Sequence, residues 1–183
     1  SVKRVTSVTS SYLNYRDSNN EITYEERMSK KIQDSIYLGR NSGRYANEFA
    51  EQNISVGNES LRNNTSGFWN TALGFATLRD NTVGSRNIAI GRIALQDNIS
   101  GDRNIAIGTF SLRRNKTGRS NIAIGADSLW YNENGDYNVA IGLVALGNNT
   151  SGNNNIALGE RVMADSEGGE HNAAFGKHAL YYN

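Results

Sequence analysis

The 183 residues carry 19 basic and 18 acidic side chains, a formal net charge of +1, which excludes a broad basic surface for DNA, RNA or an anionic membrane. With no Cys there is neither a disulfide nor a thiolate metal site, and no apolar run of about 18 residues offers a helix that would insert into a membrane. Nineteen Gly, no Pro and many Asn depart from the composition of an average globular domain and point to a thin core.

In chain order, residues 1–34 come first and show no repeat. Val2, Val5, Val8, Tyr12 and Tyr15 suggest extended chain, Asp17-Ser18-Asn19-Asn20 a turn, and residues 24–36 a short helix. This segment reads as a neck or a separate small β module. Residues 35–52 open with Ser35-Ile36-Tyr37-Leu38-Gly39, a degraded version of the unit that recurs from residue 53 onward, with Gly43 standing where a Leu is due. Terminal repeats are commonly atypical, so these residues are expected to form a capping coil.

From residue 53 to 183 one unit recurs every 17 residues. Asn stands at 53, 70, 87, 104, 121, 138, 155 and 172, and Gly four residues after each. A Leu column runs through Leu61, Leu78, Leu95, Leu112, Leu129 and Leu146, passes to Met163 and ends at Leu180. Seven units are complete and the eighth is partial. Asn-Ile-Ala-Ile-Gly is too short for a helix and suits a strand. The later Asn-x-x-Gly, as in Asn64-Thr65-Ser66-Gly67, matches the end positions of a type I turn. Each unit thus reads as two short strands and two turns.

Such a unit cannot fold alone, because ordering it costs more chain entropy than its few apolar side chains return. Stacking one unit on the next at about 4.8 Å supplies the missing partners. The fold class expected is all-β, a repeat β-roll or solenoid of about 17 residues per coil. Alternation puts Ile88 and Ile90 on one strand face and Ala89 on the other, and a strand apolar on both faces is usually covered on both. The preferred arrangement has the Ile and Leu columns inside and the Ala column at a contact between chains, with the reverse left open.

The Asn-Ile-Ala-Ile-Gly run resembles the head repeats of trimeric autotransporter adhesins. The longer unit, Asn-x-Ala-Ile-Gly-x-x-(Ala/Ser)-Leu-x-x-Asn-x-(Thr/Ser)-Gly, is similar to repeats of bacteriophage tail-fibre proteins. The resemblance covers residues 53–183. It implies a left-handed parallel β-roll, a homotrimer, and attachment to a host or target cell-surface glycan or protein, on a virion tail fibre or at the cell surface. The adhesin unit is commonly 14 residues, so the 17-residue period here departs from it. Some related fibres end in a self-cleaving chaperone domain, and the stop at Asn183 fits such a cut as well as an end chosen for expression.

No nucleophile elbow, phosphate loop or paired-carboxylate motif marks an enzyme, and no cofactor is expected. His171 and His178 fall in variable columns with no regular acidic column beside them, so no metal site is expected. Asn64, Asn98 and Asn115 head glycosylation triplets that arise automatically from the turn sequence. The thirteenth column is not the single-residue Thr ladder an ice-binding face would need. The variable columns are where specificity can sit, and aromatics gather there: Phe68 and Trp69, then Trp130, Tyr131 and Tyr137, then Tyr181 and Tyr182, with Phe75 in addition. Aromatic faces serve both subunit contacts and sugar rings. The first use is weighed ahead of the second, and the seven residues from Phe68 to Tyr182, Phe75 apart, are the ligand-binding candidates.

Overall fold

The computed structural model describes residues 35–182, so the expected neck or small β module at 1–34 lies outside the described residues. Nine strands of three residues each form a single parallel sheet in sequence order. They are β1 Ile36–Leu38, β2 Ile54–Val56, β3 Thr71–Leu73, β4 Ile88–Ile90, β5 Ile105–Ile107, β6 Ile122–Ile124, β7 Val139–Ile141, β8 Ile156–Leu158 and β9 Ala173–Phe175. Each pairs with the next in strict register, Ile88 with Ile105 and Ile105 with Ile122, so one coil occupies 17 residues. The first step, Ile36 with Ile54, is 18. The described chain is an all-β parallel solenoid without a helix.

Each coil holds one strand, not the two expected. After the strand, Gly108 takes φ 133°, and Phe110, Leu112 and Ser120 all lie at positive φ, a set that recurs coil after coil. Three left-handed non-glycine residues per turn bend the chain too often for a second extended run. Hydrogen bonding nonetheless continues around the coil. Leu112, Arg114 and Lys116 donate their backbone N–H groups to the following coil, while Gly108, Phe110 and Ser120 donate to the preceding one.

The two backbone turns also fall earlier than expected. They close at Ser111 N–H to Gly108 and Asn115 N–H to Leu112, at 3.4 and 3.3 Å. Asn115 then spans to Gly118 through its side chain, Nδ2 donating to the Gly118 carbonyl at 2.9 Å. The Asn-x-x-Gly signal therefore marks a side-chain bridge rather than a backbone-closed type I turn.

Two buried Asn ladders run the length of the coil stack. In the first, Asn104 Oδ1 accepts from the Asn121 backbone N–H at 3.0 Å, while Asn104 Nδ2 donates to Gly118 at 2.8 Å. In the second, Asn115 Nδ2 donates to Asn98 Oδ1 and Asn132 Nδ2 to Asn115 Oδ1. A buried amide is tolerable only when both ends are paired, which explains why Asn recurs without drift. The same burial removes Asn64, Asn98 and Asn115 from the surface a glycosylating enzyme could reach. The second ladder breaks after Asn149, because Ser166 comes next and leaves Asn149 Oδ1 without a partner.

The interior corrects the preferred placement of the strand faces. Ala72, Ala89, Ala106, Ala123, Ala140 and Ala157 are fully buried together with the Leu column, whereas the Ile positions point outward and Ile88 stays 39% exposed. The Leu side chains and the Asn ladders already fill the narrow coil, so the strand can present only a methyl group inward. The first coil solves the same volume problem in reverse. Tyr37 stands in the Ala column, and Gly43 stands in the Leu column at φ 59°, where any Cβ would run into the Tyr37 ring. Burial raises the Tyr37 hydroxyl pKa.

Candidate functional site

Two kinds of surface remain once the interior is assigned. The first is the outer face of the sheet, where the residues flanking each buried Ala form two parallel apolar rows. Ile54, Val56, Ile88, Ile90, Ile141 and Ile156 are all exposed along it. At about 4.8 Å per strand, nine strands give a strip roughly 38 Å long. Continuous apolar strips of that length are uncommon on a monomer surface.

The second kind is aromatic, and the seven candidates separate into groups along the stack. Phe68 and Trp69 meet edge to face with ring centroids 5.2 Å apart. Arg86, one coil further on, lies over both rings, 5.1 Å from Phe68 and 4.6 Å from Trp69. Gln52, one coil before, accepts a hydrogen bond from the Trp69 indole N–H. The indole is therefore held at its edge and on a ring face, yet remains 49% exposed. Beside it lies an open recess of about 430 Å³ lined by Phe49, Glu51, Gln52, Ser66, Phe68 and Trp69.

Trp130 and Tyr131 form a different group. Their centroids lie 4.9 Å apart, and Phe110 stacks on Trp130 from the preceding coil at 6.1 Å. Arg92 and Arg113 lie over Phe110, and Arg114 lies over Tyr131. The guanidinium groups thus cover rings that are themselves half-buried, and the shielded Trp130 indole N–H has no hydrogen-bond partner. Nearby Asp97 has its carboxyl pKa raised by burial, an effect that the Arg113 charge opposes. Tyr137 joins neither group and stands 60% exposed. Tyr181 and Tyr182 pair at 4.7 Å near the last described residue, with His178 5.7 Å from Tyr181. Phe75 is exposed and apart from all of them.

The candidates do not converge on one centre. Reading by columns missed Phe49, Glu51 and Gln52, because the first coil is one residue longer and falls out of the 17-residue register. The signal available was the aromatic pair at Phe68 and Trp69 opposite that irregular coil. Among the described residues there is no group of three or more His, Cys, Asp or Glu side chains able to hold a metal ion. No family model, curated protein or solved structure matches this chain.

Proposed function

We propose that this chain is a segment of a homotrimeric fibre that attaches a virion tail or a cell surface to a target cell, built as a left-handed β-roll and performing no covalent chemistry. The observation that carries the reading is the continuous row of outward Ile side chains. Leaving these β-branched residues in water along the whole stack wastes the free energy that their burial would return, about 25 cal/mol per Å². Three identical strips meeting around one axis bury each other with closed symmetry, and a closed assembly leaves none of them exposed. The similarity of the repeat to adhesin-head and tail-fibre repeats supports the same assembly and the attachment role.

Sedimentation equilibrium of the 183-residue chain tests the assembly. The expected mass is three chains, and Ile107→Glu, which would crowd three carboxylates at the axis, is expected to give single chains at micromolar concentration. A wild-type monomer with an intact far-UV spectrum overturns the trimer. Binding of labelled trimer to immobilised cell-surface polysaccharides and glycoproteins tests attachment. A trimer that binds none of them is a structural shaft, whose receptor site would then lie elsewhere on the fibre.

A further inference from the structure

We infer that the recess between the first two described coils is a binding site for an uncharged pyranose within a polysaccharide. The inference rests on the attachment reading and assigns it a place and a ligand class.

Two departures from the repeat coincide here. The sixteenth column holds Ser85, Asp102, Arg119, Asp136, Asn153 and Glu170 in later coils, and several of these bond across coils, as Ser85 N–H does to Asp102 and Arg119 N–H does to Asp136. In the second coil that position is Phe68, which contributes an aromatic wall to the recess instead of a cross-coil hydrogen bond acceptor. The extra residue of the first coil falls in the adjoining stretch, where Phe49 stands out 64% exposed with its N–H held by Asn47 Oδ1 at 2.9 Å. Neither departure is needed to close a coil, since every later coil closes without them.

The lining suits a sugar ring. Phe49, Phe68 and Trp69 offer apolar surface for the C–H face of a pyranose. Glu51, Gln52 and Ser66 supply a carboxylate, an amide and a hydroxyl for ring hydroxyl groups, and the volume falls within the range of small-ligand sites. The one formal charge in the lining is the Glu51 carboxylate, which repels uronic and sialic acids and selects neutral rings. Gln52 and Arg86 fix the indole before a ligand arrives, so little side-chain freedom is lost on binding. The Trp130 group lacks this combination, because arginines already occupy its rings.

The test uses the full chain with neutral glucan, galactan and mannan, and with polygalacturonate as the charged counterpart. Binding is read by titration calorimetry and by Trp fluorescence in a Trp130→Phe background. Trp69→Asn is the main variant, since Asn154 occupies the same column at the same backbone conformation in a later coil. At least one neutral polysaccharide is expected to bind. Affinity should fall at least tenfold in Trp69→Asn and about fivefold in Phe49→Ser, and stay unchanged in Tyr137→Asn. Wild-type binding that both recess variants retain overturns the site and leaves the attachment reading standing. Binding of polygalacturonate alone, or of no neutral polysaccharide by a trimer that still adheres to cells or glycoproteins, overturns the sugar class. A trimer that adheres to nothing overturns the attachment reading itself.

Discussion

The inside of the coil and its outside obey opposite rules. Inside, the Ala, Leu and Asn columns hardly vary from coil to coil, and each buried Asn is bonded to its counterpart one coil away. Outside, the sixteenth and seventeenth columns pass through Phe, Trp, Ser, Arg, Asp, Tyr, Asn, Glu and His without disturbing the register. Identity is enforced where a side chain must match its own copy about 4.8 Å away, and released where it meets solvent or a partner. Function in such a rod is to be sought where the outer columns depart from pattern, as they do around Phe49 and Trp69.

The sharpest way to break the comparison is to disturb the interior at a single coil. A methyl group at Gly108 would stand 2.6 Å from the Gly125 carbonyl oxygen, at a φ of 133° that side chains rarely adopt. Gly108→Ala is therefore expected to cost about 4 kcal/mol or more, read as the urea unfolding midpoint at fixed chain concentration. Next is Asn104→Ala, which leaves the Asn121 backbone N–H without its acceptor in the buried ladder. A loss of about 2–4 kcal/mol is expected, whereas Arg119→Ala on the outer surface should change the midpoint by less than about 0.5 kcal/mol. Equal losses at the two sites would sink the inside–outside distinction.

Two smaller effects sharpen it in the stabilising direction. Ser166→Asn would restore the broken ladder by giving Asn149 Oδ1 a donor, and about 1 kcal/mol of added stability is expected in the same assay. Arg103 sits at φ 56° on the exposed surface, where Asn is better tolerated than Arg. Arg103→Asn should raise the midpoint by roughly 0.5 kcal/mol, and a decrease would mean that the Arg side chain contributes something its surface position does not suggest.

Sequence reading found the stack because a 17-residue period is visible without knowing any contact. It found the strand at Asn-Ile-Ala-Ile-Gly, the inward Leu column and the irregular first coil, all of them local patterns. It misjudged the second strand because residues such as Leu112 and Ser120 adopt left-handed backbone that nothing in their chemistry announces. The recess was only half legible. Phe68 and Trp69 stood out as aromatics in variable columns, but Phe49, Glu51 and Gln52 belong to a coil whose extra residue hides their alignment.

The sequence by itself determined the period, the all-β layering and the need for stacking, since repetition and residue size act along the chain. Only the tertiary structure decided which strand face turns inward. Ala and Ile are both apolar, and the choice depends on the space left by the Leu side chains and the two Asn ladders. That remaining space admits a methyl group and nothing larger, so the Ile side chains are driven outward to the face where other chains can cover them.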